Sequence, residues 1–443
     1  MFSNKDLRKL IIPLVIEQLL AVTIGMADTV MVSSCGEAAV SGISLVDSIN
    51  FLLITLFSSL ATGGAVIASQ YIGRGDHKSA SLAAKQLFYA SLALSAVLGV
   101  IAVFFRKPVL NMVFGSIEAD VMAHAQIYFL LSAISYPFLA VYNAGAALFR
   151  SMGDSRTTML ISILMNTINI VGNAILIYGF QMAAAGAAAA SLVSRAVGAI
   201  IITVLLLNPH RIIFYDKLHK PEIHLSMLKS ILQIGVPNGL ENSIFQIGKI
   251  LVASIVSGFG TISITANAVA GNLASLQVIP GMALGMAMIT VVGQCIGAKD
   301  YEAVKKYTKK LMLITYGVVW AMTLLMLLFS KQILSFYSLS EETTTMTMEV
   351  FIVHGICAVI VWPLAFALPN ALRAANDVRF TMIVSLLSMW IFRIGFSYIL
   401  AIYFNMGILG TWIAMCIDWF CRGACFVIRF ARGKWKNISF IDN

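Results

Sequence analysis

Charge is what this sequence has least of. Only 11% of its 443 residues are Asp, Glu, Lys or Arg, against about a quarter in soluble domains. So few polar residues cannot coat a core of this length, which excludes a soluble globular protein. Acids are scarcer than bases, 20 against 30, but the basic residues are scattered between apolar runs and form no patch. Nucleic acid is therefore not an expected partner. The six cysteines, at 35, 295, 357, 416, 421 and 425, lie mostly inside apolar runs. They lack metal-ligand spacing and need not form disulfides. No His/acid metal motif, nucleophile elbow or phosphate loop occurs in a suitable context, so neither an enzyme nor an organic cofactor is expected. No cleavable signal is expected either, because MFSNKDLRKL leads into a long apolar stretch without a small-residue cleavage site.

What is present is apolar, at 59% of the chain. Runs of spanning length fall at about 10–33, 44–72, 84–105, 122–149, 157–181, 184–207, 230–258, 265–296, 311–330, 346–372, 379–404 and 408–430. They predict an all-α membrane protein with twelve transmembrane helices. A β-barrel would show short alternating segments instead. Across the alternate connections, 23 Lys and Arg, Lys217 among them, fall on one side. Only Arg106, Lys107 and Lys331 fall on the other. By the positive-inside rule, both termini are cytoplasmic.

The longest polar connection, 208–229, divides the chain into an expected N-lobe, 1–207, and C-lobe, 230–443, with a cytoplasmic linker between them. The halves match. IIPLVIEQ (11–18) aligns with GVPNGLEN (235–242) at an offset of 224, placing Pro13 on Pro237 and Glu17 on Glu241. SQYIGRGD (69–76) aligns with GQCIGAKD (293–300) at the same offset, and LFRSMGDSRTTM (148–159) with ALRAANDVRFTM (371–382) at 223. AAGAAAAS (184–191) aligns with ILGTWIAM (408–415). Six helices per half is an even number, so both halves enter the membrane from the same side. The repeat is parallel, with a pseudo-two-fold axis along the membrane normal, as occurs in transporters.

At these residues the chain resembles the multidrug and toxic compound extrusion (MATE) family. The resemblance is carried by MADTVMV (26–32), ASQYIGRGD (68–76), LFRSMGDSR (148–156), NTINIVGNAILIYG (166–179), GAAAAS (186–191) and GVPNGLENSIFQIGK (235–249). It implies two six-helix lobes forming a V. It also implies a secondary active antiporter of a bacterial inner (cytoplasmic) membrane, monomeric, exporting amphipathic cationic compounds in exchange for Na⁺ or H⁺ by alternating access of the lobes. The only cofactor-like partner is then the coupling ion. The others are the lipid bilayer and a small-molecule substrate. The family's first-helix acid maps onto Asp28, its fifth-helix polar ligands onto Asn169 and Asn173, and its sixth-helix hydroxyl onto Ser191. Some members have Asp where this chain has Asn173. The tenth-helix position that is acidic in other members is Trp362 here, and the seventh-helix acid sits one turn away, at Glu241. These departures place the chain nearer the bacterial DinF-like branch.

The physics of the buried charges is a separate matter. A carboxylate at the centre of a membrane helix costs about 2.5–3.5 kcal/mol on insertion scales, so intramembrane acids are functional candidates. Glu17 and Asp28 are eleven residues apart. That is close to three turns, so they share a face roughly 16 Å apart along the axis. Asn169 and Asn173 share a face one turn apart. With Asp28 they form an oxygen-only set that suits Na⁺. A protonated Asp28 bonded to the same amides is equally compatible, as are ordinary interhelical hydrogen bonds. Six charged residues are candidates for a substrate cavity: Glu17, Glu241, Asp47, Asp418, Lys249 and Arg393. Glu17 and Glu241 either draw in cationic substrate or are held by partners. Asp418 and Arg422 are i, i+4 and can pair. Arg195, Lys249, Arg393 and Arg422 lie within apolar runs. They either snorkel and pair with acids or form a cationic C-lobe wall for an anionic group. The latter would suit an exporter or flippase of an anionic or lipid-linked metabolite. His354 and His124 are read as satisfied interior residues. Pro13, Pro237 and Pro363 could kink their helices.

The charge asymmetry makes a topological prediction. In a background cleared of native cysteines, a cysteine at Glu118 should react with a membrane-impermeant maleimide added outside intact cells. One at Lys220 should react only after permeabilisation.

Overall fold

The computed structural model describes residues 2–115, 118–216, 218–220, 222–337 and 339–438, without the side chains of 24, 26, 27 and 29. Lys217 of the linker, and the side chains of Met26, Ala27 and Thr29 in the MADTVMV motif, lie outside the described residues. Regular structure among the described residues is helical throughout. The first half contains α1 Asn4–Ser33, α2 Glu37–Arg74, α3 His77–Phe114, α4 Ala119–Ser151, α5 Ser155–Asn173 and α6 Ala183–Leu206. The second half contains α7 Leu225–Ser257, α8 Thr261–Gly297, α9 Tyr301–Leu328, the short α10 Ser330–Ser335, α11 Glu341–Ile360, α12 Leu368–Ala374, α13 Val378–Ser388 and α14 Gly407–Ala431. Among the described residues, eleven helices are long and apolar enough to cross a membrane. With α1, 30 residues long, they make the expected twelve. The tenth span is α11 and α12 joined by a π-helical turn, Pro363–Ala367, and the eleventh is α13 continued by the π segments Met389–Gly395 and Tyr398–Tyr403.

The helices outrun the apolar stretches because their ends are capped in polar sequence. Ser3 and Asp6 form a reciprocal capping box at the start of α1. Asp76, Asp154 and Asp300 accept from the backbone N–H of Ser79, Thr157 and Ala303 at 3.0, 3.1 and 2.9 Å, satisfying amides that a helix start leaves open. In α3, the backbone departs from helical angles at Phe105. Pro108, three residues on, lacks the N–H that would tie that turn.

The chain divides into two compact units, 1–239 and 240–443. The boundary falls inside α7 and not in the polar stretch 208–229, which was expected to separate the lobes. That stretch is bound to the first unit. Gln86 Nε2 donates to Glu222 O at 2.6 Å, His224 N donates to Gln86 Oε1 at 3.1 Å, and Tyr89 Oη donates to Leu218 O at 2.8 Å. Tyr215 packs on Phe88 with ring centroids 5.3 Å apart.

Within the first unit, α4 packs against α2, α3 and α6, while α1 lies on α5 and α5 on α6. Val46, Phe57, Leu110, Phe129 and Tyr136 form one of its cores. Within the second, α8 packs against α9, α11 and α12, and α14 packs against the π segments. Val350, Trp362, Trp412 and Trp419 share a core there. Large apolar side chains such as Phe104, Leu324 and Ile360 remain exposed, as expected of a bundle whose outer solvent is lipid.

The duplication read from sequence recurs in the backbone. Gly36 and Gly260, which the repeat aligns, precede α2 and α8 with φ of 93° and 90°, a region that only glycine enters without strain. The π segment Ala174–Gly179 recurs at Tyr398–Tyr403. In the turns that follow, Gln181 and Asn405 have φ of 53° and 56°, and Ala183 and Gly407 have 45° and 56°. Side chains differ while the chain path is retained. Cys357 and Cys416 are disulfide-bonded between α11 and α14, a pairing that their spacing did not suggest.

Close helix contacts set a stability prediction. A Cβ at Gly42 would lie 2.8 Å from Val121 O, and one at Gly410 would lie 2.7 Å from Ala401 N, whereas Gly271 has nothing within 4 Å. Gly42→Ala and Gly410→Ala should each destabilise the protein by about 1–3 kcal/mol. Gly271→Ala should be neutral or stabilising. Thermal unfolding of the purified protein in detergent reads the difference.

Candidate functional site

The first unit places a half-buried carboxylate among amides. Asp28 lies on α1, Asn169 and Asn173 on the facing side of α5, and Ser191 on α6. Asn173 Nδ2 donates to Asp28 Oδ1 at 2.7 Å. With the Asn169 amide turned so that every atom finds a complementary partner, its nitrogen donates to Asp28 Oδ1 and Oδ2 at 2.8 and 3.1 Å. Its oxygen then accepts from Ser191 Oγ at 3.0 Å. Asn169 and Asn173 are 6% and 1% exposed, so these bonds form out of water, where an unmade one is costly. Asn173 Oδ1 is buried without a hydrogen-bond partner among the described residues.

The four residues that the family resemblance brought forward therefore converge on one place. As oriented, the amide nitrogens suit an ionised carboxylate. A half-turn of the same amides would present oxygens instead, which suit a bound cation or a protonated Asp28. Carboxylate, amide and hydroxyl oxygens are hard donors of the kind that alkali and alkaline-earth cations take. The residues thus fit Na⁺ as well as a proton. Among the described residues, no group of three His, Cys, Asp or Glu could hold a metal ion.

Beside it lies a second polar cluster. Asp47, which is exposed, accepts from Tyr128 Oη at 3.0 Å and from Asn50 Nδ2 at 3.3 Å. Asn50 Oδ1 accepts from Tyr136 Oη at 2.8 Å. Arg195 donates to Ser135 Oγ at 2.7 Å, and both Asp47 and Arg195 act electrostatically on Asp28.

Three acids expected in a substrate cavity are instead engaged in buried ion pairs. Glu17 takes Arg150 at 3.4 Å and the Thr158 hydroxyl at 2.9 Å. Glu241 takes Arg373 and the Ser385 hydroxyl, each at 2.7 Å. Asp418, fully buried, takes Arg422 through both carboxylate oxygens at 3.2 Å, Ser388 Oγ at 2.5 Å and Arg393 at 3.9 Å. The first two are the same clasp built twice, since the repeat aligns Glu17 with Glu241 and Arg150 with Arg373. The aligned Asp154 and Asp377 are also paired, with Arg211 at 3.4 Å and Arg429 at 2.6 Å, but the repeat does not align these two arginines.

The polar centre itself is not repeated. At the offset of 224 that also separates the Pro13 and Pro237 copies, the positions of Asp28, Asn169, Asn173 and Ser191 are Val252, Arg393, Ser397 and Met415 in the second unit. Trp362 is 4% exposed. It stacks on Phe366 at 5.4 Å, in space left by Gly281, where a Cβ would meet the indole ring. His354 is a satisfied interior residue, as read from sequence. Its Nδ1 meets Gln277 Oε1 at 2.9 Å, and its ring lies 5.6 and 5.2 Å from Trp412 and Trp419.

Arg150, Arg373, Thr158, Ser385, Tyr128 and Asn50 were not singled out from sequence. For the two arginines a signal was there, since both stand in the aligned LFRSMGDSR and ALRAANDVR loops beside a duplicated Glu. Pairing between positions so far apart in the chain is otherwise invisible to local pattern.

Two helical copies of one plan, only the first bearing an amide-lined carboxylate, define a duplicated membrane transporter. The family model described as MatE matches residues 13–175 and again 237–399, and the chain belongs to that family. The two matches begin at Pro13 and Pro237, the pair that the internal repeat aligns. The chain is 26% identical to "Uncharacterized transporter YisQ" of Bacillus subtilis strain 168, over 96% of this chain and 93% of the relative. It is 26% identical to "Probable multidrug resistance protein NorM" of Thermotoga maritima, over 98% and 93%. It is 29% identical to the protein of the same name from Bacillus cereus strain ATCC 14579, over 95% and 93%. In fold it is similar to a crystal structure of MATE in the straight conformation, with a TM-score of 0.90 at 20% identity, covering 98% of this chain and 97% of that one. It is likewise similar to an outward-facing multidrug resistance MATE transporter of the MOP superfamily, with a TM-score of 0.89 at 20% identity, covering 98% and 97%. The chain is a multi-pass membrane transporter of a multidrug-efflux family and not an enzyme.

The clasps carry a stability prediction. Arg373→Ala strands Glu241, which is 6% exposed, and should cost about 3–5 kcal/mol. Adding Glu241→Gln should restore part of the loss in the unfolding midpoint.

Proposed function

We propose that the chain is a secondary antiporter exporting amphipathic, cationic compounds in exchange for Na⁺ or H⁺, with Asp28 as the exchanging carboxylate. The observation that carries this reading is the convergence of Asn169, Asn173 and Ser191, through reversible amides, on one half-buried acid. A low-dielectric setting penalises the ionised form, and a bound cation relieves that penalty. Binding of a cation or proton can then favour one state of the protein and substrate binding the other. Asn169 and Asn173 follow the change of charge by exchanging donors for acceptors, and the Ser191 hydroxyl, which can donate or accept, pairs with Asn169 in either orientation. Asp47, with Tyr128 and Arg195, is the neighbouring charge through which the centre senses substrate.

For exchange to drive transport, ion and substrate must prefer different arrangements of the two lobes, because a ligand shifts an equilibrium only by its differential affinity. The relatives' printed names, probable multidrug resistance proteins, support export of drug-like compounds over flipping of a lipid-linked metabolite. The bacterial sources of the named relatives support a cytoplasmic membrane, and the distribution of basic residues supports both termini inside. The DinF-like placement rests on Asp28 together with the absence of an acid at Trp362.

Asp28→Asn should abolish ion-driven efflux of a cationic dye from proteoliposomes while leaving membrane insertion intact. The same vesicles under separate Na⁺ and proton gradients identify the coupling ion. Undiminished efflux by the variant would remove Asp28 from the mechanism.

A further inference from the structure

Where the first unit holds an acid, the second holds an excess of positive charge. Arg393 stands in the repeat at the position of Asn169. Its guanidinium lies 5.4 Å from the centroid of the Phe245 ring, and that of Arg422 lies 5.2 Å from the same ring and 5.1 Å from Phe366. Lys249 is one turn beyond Phe245 on α7, on the same face, and Arg393 acts electrostatically on it. Asp418 is the only acid paired with this group among the described residues, and Arg422 engages both of its oxygens. Arg393 reaches it only at 3.9 Å, and Lys249 makes no ion pair among the described residues. Arg393 Nε and Arg422 Nε are buried and without hydrogen-bond partners there. Arg422 is 3% exposed.

Two guanidiniums thus share one carboxylate, with Lys249 beside Arg393 and no acid of its own among the described residues. Unpaired charge in such a setting calls for a counter-charge, and the chain supplies only one. The group is also approachable, since Lys249 is exposed and Arg393 is partly so. We propose that the second unit carries a binding site for an aromatic organic anion, its carboxylate or sulfonate held by Lys249 and Arg393 and its ring lying against Phe245. A guanidinium fork matches a planar carboxylate or two sulfonate oxygens. Lys249, exposed beside them, supplies a mobile point charge, and Arg422, fixed by Asp418, holds the Phe245 ring in place. This inference does not depend on the antiport reading, because it concerns binding within one unit and not ion-driven movement.

The test uses the full chain in lipid nanodiscs and equilibrium dialysis of 2-naphthalenesulfonate, corrected for empty nanodiscs. Saturable binding is expected, stronger than that of uncharged 2-naphthol. Lys249→Gln and Arg393→Gln should each weaken it by roughly tenfold to a hundredfold, and Lys249→Arg should keep most of it. Each variant is compared only where its unfolding midpoint matches that of the parent, and Lys249, being exposed, tolerates replacement. The proposal is overturned if the sulfonate binds without saturation or no more tightly than 2-naphthol. It is equally overturned if Lys249→Gln binds as the parent does.

Discussion

A charge taken out of water has to be answered by a neighbour, and that requirement organises this protein. The chain has few charged side chains to spend. Most of those it places inside the bundle are held by specific partners, and the two glutamates draw theirs from other helices. Glu17 draws α1 onto α4 and α5 through Arg150 and Thr158. Glu241 draws α7 onto α12 and α13 through Arg373 and Ser385. In lipid, helices gain no hydrophobic free energy from meeting one another, so packing and polar contacts carry more of the task of choosing neighbours. The glycines that let Gly42 meet α4 and Gly410 meet the π segment before α14 act alongside them.

Duplication gave the two halves one scaffold, and the charges show where they diverged. Backbone turns, capping aspartates, glutamate clasps and a π segment recur in register between the halves. The polar centre does not. Asp28 with its amides has no counterpart, and its place in the second unit is taken by Val252 and Arg393. A repeat that keeps its frame while reversing the charge at its heart has separated a shared structural task from two distinct chemical ones.

Much of this was legible in the sequence. Scarce charge and twelve apolar runs fixed the class, and the ordered matches between the halves fixed the repeat. The eleven-residue spacing put Glu17 and Asp28 on one face. Asn169, Asn173 and Ser191 were reached through the family resemblance, since their one-turn spacing alone was as compatible with plain helix packing. What stayed hidden was tertiary. Hydropathy ends where polar caps begin, so α2 and α3 extend beyond their apolar cores at both ends. The linker looked like a boundary because it is polar, yet Gln86 and Tyr89 bind its backbone to the first unit. The spacing of Asp418 and Arg422 announced their pairing, but the partners of Glu17 and Glu241 stayed open because composition shows a charge and not the distant residue that answers it. The π segments leave no trace in periodicity over so few residues.

The two glutamate clasps also differ from the surface charges in their response to the surroundings. Mobile ions weaken attractions between groups that they can reach and leave sequestered pairs nearly unaltered. Glu17 and Arg150, like Glu241 and Arg373, are at most 18% exposed along their side chains. Lys305 and Glu302, at 50% and 82%, stand open to the medium. A rise in the salt around the molecule will therefore loosen its fringe while its internal fastenings hold.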